Sequence, residues 1–357
     1  MRLILSFVVA GFAATVVPAA AQPPLPPDPP RVIARDAVRT SHAYQGHSNG
    51  AEQTERFSRK IKLGRDGRLS ITNISGDITV TGGSGDDVSI EAVKRTHGDK
   101  SELALVQITV DDRPGRVDVR TETESNRSDR GRRGNGVSVD YSVTVPASAG
   151  VELHSVSGTV KITAVHGAVR AETISGDVTT SDTPKLELAK SVSGDVSFSG
   201  VADGDVIVGS ISGNVSAKAV KVRGLDVNSV SGNVTLGDVA CERLTVKSVS
   251  GNVGYSGTIA KAGRYEINSH SGNVRLTLAN PPGFELTASS FSGSIRSELP
   301  LTIGGDSSRN SSTTADGNTD RHRTSSVNSH NMRATYGDGS ATISVRTFSG
   351  DVVIAKQ

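Results

Sequence analysis

One hexapeptide, [Ser/Thr]-[Val/Ile]-Ser-Gly-[Asp/Asn]-Val, recurs along the chain at nearly constant spacing, and it restricts the possible folds more than any other feature. It stands as Thr173-Ile-Ser-Gly-Asp-Val178, Ser191-Val-Ser-Gly-Asp-Val196, Ser210-Ile-Ser-Gly-Asn-Val215, Ser229-Val-Ser-Gly-Asn-Val234 and Ser248-Val-Ser-Gly-Asn-Val253. Looser copies centre on Gly76, Gly158, Gly272, Gly293 and Gly350. From Gly158 the glycines fall at Gly176, Gly194, Gly213, Gly232, Gly251, Gly272 and Gly293, steps of 18 to 21 residues. A unit this short cannot bury an apolar face alone, so it must stack on its neighbours.

The register inside the unit says what stacks. Two residues after each glycine stand Val160, Val178, Val196, Val215, Val234, Val253, Val274 and Ile295, with a further, mostly apolar row two residues on. Polar residues such as Lys161, Ser197, Thr235 and Arg275 separate the two rows. This alternation is that of a half-buried strand. Five residues before each glycine runs another apolar row, Leu153, Ala171, Ala189, Val208, Val227, Val246, Ile267 and Ala288. Two short strands joined at a glycine corner predict an all-β fold, a single-chain parallel β-solenoid with coils of about 18–21 residues and an N-terminal β-rich cap. Ten copies at the strand spacing would extend about 45–50 Å. Asn214, Asn233, Asn252 and Asn273 follow the glycines and are expected to form a ladder of paired side-chain amides. One coil departs from the pattern, because Leu186 and Leu188 are out of the apolar phase.

The flanks divide the chain further. Met1-Arg2, an apolar run from Leu3 to Val17 and Ala19-Ala20-Ala21 have the form of a secretory signal peptide, residues 1–21, cleaved near Ala21. Residues 22–55 are a Pro-rich and polar linker, and a strand is expected near Phe57 to Leu63. Residues 56–150 hold the N-terminal strands and cap, and 151–303 the regular repeats. Residues 304–333, rich in Ser, Thr, Asn and Gly, are expected to be a disordered insertion, and 334–357 a closing coil. No later apolar stretch reaches membrane-spanning length, so the mature chain is expected in the periplasm, at the cell surface or outside the cell.

Chemistry-bearing residues are sparse. Cys241, the only cysteine, is nine residues after Gly232, where neighbouring units have Val222 and Ala260, so it reads as a small buried hydrophobe. His270 falls in the row Val230, Val249, His270, Phe291 and reads as a corner residue. His322 and His330 lie in the insertion without ligand spacing. Asp177 and Asp195 stack in adjacent coils, but their row continues as asparagines, which fits a turn requirement better than a cation site. No cofactor, metal or catalytic residue is predicted. The basic segment holding Arg127, Arg130, Arg132 and Arg133 is the one candidate contact, suited to phosphate or carboxylate polymers of the envelope. With Lys+Arg 39 against Asp+Glu 37 and only 3% aromatics, neither a nucleic-acid partner nor a base-stacking platform is expected.

Three further segments carry a family resemblance: Asn73-Ile-Ser-Gly-Asp-Ile-Thr-Val80, Val139-Asp-Tyr-Ser-Val-Thr-Val-Pro146 and Arg346-Thr-Phe-Ser-Gly-Asp-Val352. With the repeats they resemble the bacterial putative-adhesin domain family, exported β-solenoid domains of unknown function, over about residues 56–357. The resemblance implies fold and envelope location, and transfers no active site. The expected function is a non-catalytic exported cell-envelope protein, an adhesin-like binding or scaffolding solenoid with an envelope polymer or protein as partner. The alternatives are an envelope-stress signalling partner of a membrane protein or a polysaccharide-active β-helix enzyme. A hydroxyl-rich surface for ice fits less well, since the serines flank corners instead of forming flat ranks.

Overall fold

The computed structural model describes residues 52–123, 136–303 and 330–357. Among them, 24 strands form one continuous sheet, mostly parallel, wound as a solenoid. Two rows of strands meet at the glycine corner. The first row runs Arg116–Thr123, Arg68–Ser75, Gly150–Ser157, Val169–Ser175, Leu186–Ser193 and Asp205–Ser212. It continues through the C-terminal halves of the long strands Val215–Ser231, Val234–Ser250 and Val253–Ser271. The second row pairs the segments that follow each corner, from Val137–Pro146 and Ile78–Gly83 through Val160–Thr163 to Val274–Leu278.

Alternation fixes what faces inward. Val160, Val178, Val196, Val215, Val234 and Val274 are fully buried, as are Leu153, Ala171, Ala189, Val208, Val227 and Val246, and together they fill a narrow apolar interior. The corner glycine is required by crowding as well as by conformation. Gly158, Gly176, Gly194, Gly232, Gly251, Gly272 and Gly350 all have φ between 133° and 150°. A Cβ on any of them would run into the carbonyl oxygen of the glycine one coil before. A second bend six residues on uses left-handed residues that are not glycine, Ala164, Asp182, Ala219 and Asp238, with φ of 52–56°.

Both ends depart from simple chain order. The coil of Gly76 lies directly on that of Gly158, although 82 residues separate the two glycines. The intervening chain makes one further coil from Arg116–Thr123 and Val137–Pro146, and covers the end with antiparallel strands Asp87–Thr96 and Val106–Arg113. The short helix expected at Ser101 to Leu105 is a 3₁₀ helix, Lys100–Leu105. At the other end, Ala341–Ser349 and Val352–Lys356 do not close the solenoid. They are inserted between the coils of Gly272 and Gly293, pairing with Val253–Ser271 on one side and Gly283–Ser292 on the other. The coil of Gly293 is outermost, and Asn331–Gly337 pairs antiparallel on its edge.

Other expectations shift by a few residues. The first strand is Gln53–Lys62, paired antiparallel with Asp87–Thr96, so order begins before residue 56. Asn331–Gly337 likewise starts inside the segment read as an insertion, because Met332 and Ala334 are buried against the outermost coil. The out-of-phase coil contains a β-bulge: Val169 pairs with Leu186 and Arg170 with Leu188, so Glu187 is the extra residue and Ala189 returns to the core. Cys241 is buried between Val222 and Ile259 rather than Ala260, since the ladder shifts between Leu236 and Val239. Residues 1–51, which include the segment read as a signal peptide, lie outside the described residues.

Crowding at the corner separates two kinds of glycine. Gly204 also has a positive φ, 84°, but a Cβ there would meet nothing within 4 Å. Gly204→Ala should cost about 1 kcal/mol, for the backbone conformation alone. Gly232→Ala adds a clash with the Gly213 carbonyl and should cost at least about 3 kcal/mol. Urea unfolding of the two variants checks this, and equal losses would refute the close-packing account.

Candidate functional site

Pleating makes the first row of strands two-sided. The residue five before each glycine points in, and so does the residue three before it: Asn73, Ser155, Thr173, Ser191, Ser210, Ser229, Ser248, Ser269, Thr347 and Ser290 are all buried. The Val or Ile of the motif, two before the glycine, must therefore point out. In spatial order this outer row reads Ile74, Val156, Ile174, Val192, Ile211, Val230, Val249, His270, Phe348 and Phe291. Ile174 is 53% exposed and Phe291 72%. The result is an apolar ridge along ten coils. Its last three members stack, His270 on Phe348 with centroids 5.0 Å apart and Phe348 on Phe291 at 4.8 Å.

Beside the ridge runs an open groove of about 810 Å³, spanning the coils of Gly76 to Gly251. Its floor is the strand backbone over the row of buried Ser and Thr residues, and its far wall the residues four before each glycine, among them His154, Glu172, Lys190, Asn228 and Lys247. His154 lies between two carboxylates, Nε2 3.3 Å from Glu152 and Nδ1 3.4 Å from Glu172. Lys190 and Lys247 take part in no ion pair or side-chain hydrogen bond among the described residues.

Part of the floor is tied down. Ser191 Oγ donates to the Gly176 carbonyl at 2.9 Å and Ser210 Oγ to that of Gly194 at 2.8 Å. Asn73 closes one end: its amide donates to the carbonyls of Ser75, Gly76 and Val139, and its oxygen accepts from the Thr121 hydroxyl. The hydroxyls of Ser155, Thr173 and Ser248 have no hydrogen-bond partner among the described residues and are sealed beneath the groove.

The Asp/Asn row does form a ladder, but not through paired amides. Each side-chain oxygen accepts the backbone N–H of the equivalent residue one coil on. Asp195 accepts from Asn214 at 2.7 Å, Asn214 from Asn233 at 3.0 Å, Asn233 from Asn252 at 2.9 Å and Asn252 from Asn273 at 2.9 Å. Asn273 then accepts from Asp351, confirming the inserted coil, and Asp351 accepts from the Ser294 N–H and hydroxyl. The distance between equivalent residues suits a side chain reaching along the stack to a main-chain donor. Only Asn214 adds an amide contact, Nδ2 to Asp195 at 3.3 Å. Asp177 and Asp195 thus serve as acceptors in the ladder.

The remaining candidates fall into place individually. Burial pushes the Cys241 thiol up to about 12, away from thiolate chemistry. His270 belongs to the aromatic stack. His330 is exposed, and its carbonyl accepts the Ser290 N–H. Arg127, Arg130, Arg132, Arg133 and His322 lie outside the described residues. The ridge and groove are absent from the sequence-derived candidates, although the signal was present: two inward rows at odd offsets from the glycine force the motif's own Val/Ile outward.

Two sets of substitutions probe the site. Ser191→Ala removes a hydrogen-bonded hydroxyl and should cost about 1 kcal/mol, whereas Ser248→Ala should change stability by less than about 0.5 kcal/mol. Chemical denaturation distinguishes them. Ser294 holds the Asp351 carboxyl below its ordinary value of 3.8, first through the backbone N–H and then the hydroxyl. A lowered folded-state value adds stability above the ordinary value, which is lost as pH falls through the folded one. Stability should therefore fall below about pH 4, and Asp351→Asn should remove part of that fall in denaturation measured at pH 2–7.

Several solved structures share a loose likeness with the chain. A protein described as a putative cell adhesion protein from Clostridium sporogenes is 10% identical, with a TM-score of 0.22 over 85% of this chain and 100% of that one. A putative adhesin from Bacteroides fragilis is 14% identical, with a TM-score of 0.28 over 84% and 97%. Another from Parabacteroides merdae is 14% identical, with a TM-score of 0.29 over 64% and 90%. At these values the likeness carries no functional inference. Among curated proteins none matches. The family model described as Toastrack DUF4097 matches residues 184–355, from the bulged coil to the inserted one. Over those residues the chain is similar to the Toastrack DUF4097 family, whose function is unknown.

Proposed function

We propose that the protein is a non-catalytic, exported component of the cell envelope, an adhesin-like β-solenoid that binds or scaffolds through its outer surface. The observation that carries this is the apolar ridge with its adjoining groove, repeated coil after coil on the outside of a rigid stack. A folded monomer gains nothing from nine outward apolar residues and a stacked histidine in line, and contiguous exposed apolar surface on this scale marks an interaction site. The chemistry-bearing side chains support the same view, because they are used internally. Asp177, Asp195 and Asp351 hold backbone donors, and Cys241 fills the core. Export rests on the N-terminal segment, whose apolar run and Ala-x-Ala end fit a cleaved signal peptide. The arginines at 127, 130, 132 and 133 remain an additional proposed contact for anionic envelope polymers.

Protease treatment of intact cells, followed by fractionation of a C-terminally tagged protein, tests location. A surface pool cleaved from outside supports adhesion, a protected periplasmic pool supports an internal scaffold, and a cytoplasmic pool of uncleaved protein rejects the proposal. Ile211→Asp with Val230→Asp should abolish retention of envelope components in a pull-down while leaving the thermal midpoint unchanged, because both side chains are about half exposed. Unaltered retention would remove the ridge from the binding surface.

A further inference from the structure

The groove presents two kinds of surface side by side, and their combination indicates a ligand class. One wall is continuous aliphatic surface from Val156 to Val249. The floor is the strand backbone over the buried Ser155, Thr173 and Ser248. The far wall carries Lys190 and Lys247, three coils or about 14 Å apart. Its carboxylate, Glu172, lies 3.4 Å from His154 Nδ1. Farther along the same column stands Arg346, also without an ion pair among the described residues. The groove is therefore apolar on one side and, on the other, supplied with cations that nothing in the fold neutralises.

We propose that it binds a single-chain anionic amphiphile, an acyl chain with a phosphate or carboxylate head, lying along the ridge with its head at Lys190 or Lys247. This rests on the binding function proposed above and names its ligand. Charge decides against the other occupant that such a face could take, a second copy of the chain. Two copies would bring two lysine walls together, with one carboxylate, Glu172, for the two lysines of each groove, and burying unpaired ammonium groups is costly. An open groove running lengthwise beside the ridge also suits an extended single chain better than the planar surface of a bilayer.

Dodecyl phosphate, titrated calorimetrically into the purified chain below its micellar concentration, tests the proposal. Binding should be saturable. Affinity should rise about two- to fourfold per added CH₂ as the alkyl chain is lengthened, the range between half and full burial. Dodecyltrimethylammonium should bind at least tenfold more weakly, and inorganic phosphate should not compete. Lys190→Glu with Lys247→Glu, and separately Ile211→Asp, should each weaken dodecyl phosphate at least tenfold without shifting the melting temperature. Equal affinity for the two head groups, competition by inorganic phosphate, or binding only to anionic vesicles without extraction would each overturn it. So would a dimer in sedimentation that Ile211→Asp dissociates, which would make the face an interface between copies. If dodecyl phosphate fails to bind while the pull-down from envelope still depends on Ile211, the amphiphile is wrong and the binding function stands.

Discussion

The structure depends on how closely one corner can lie on the next. At each turn the glycine carbonyl occupies the space that a side chain on the next glycine would need, so the coils close to strand spacing only if that side chain is absent. This approach creates a problem of hydrogen-bond accounting. The residue after the glycine has an N–H that the crowded carbonyl does not receive, and the Asp or Asn side chain of the coil before receives it instead. The glycine carbonyl is left to the hydroxyl three residues before the corner, as in Ser191 to Gly176. Ser, Gly and Asp/Asn in the motif are thus three parts of one solution for satisfying backbone groups at a tight bend.

That solution explains why the coils need not follow chain order. Any segment with the same three elements can occupy a place in the stack, because its contacts are with the ladder and not with its neighbours in sequence. Gly350 enters between Gly272 and Gly293, and Asp351 takes the N–H and carbonyl relations that residue 294 would otherwise have made with Asn273. Both ends are closed by antiparallel strands, which cannot template another parallel coil in register. Lys94, almost buried beside Glu55 and the Leu103 carbonyl, fixes one of these caps to the body.

Much of this was legible in the residues. Apolar rows at fixed offsets from the glycines gave the coil, its inward faces and the parallel stacking, since period-2 alternation is a local property. The inserted coil was not legible, because the motif at Gly350 is as good a match to an interior position as to a terminal one. The form of the ladder was hidden too: an asparagine row suits amide pairing and acceptance from the main chain equally well, and only the register shows that the nearer donor is the backbone N–H. Cys241 was assigned its burial but the wrong neighbour, because one bulge at Leu236 to Val239 shifts the count by a residue.

The ridge shows how a structural repeat becomes a surface. The corner dictates a hydroxyl three residues before the glycine and a serine directly before it, but it places no demand on the residue between them, whose side chain faces outward. A position free of structural constraint would be expected to drift toward polar residues, as Lys161, Ser197 and Arg275 do on the other strand. Instead it is Ile, Val, Phe or His in all ten coils, and the coils that take aromatic rings are the three that stack. β-Propensity favours such residues but does not exclude Thr, which would satisfy the strand equally well and leave a soluble face. The persistence of apolar side chains where neither the corner nor the core needs them is the physical ground for assigning function to this face.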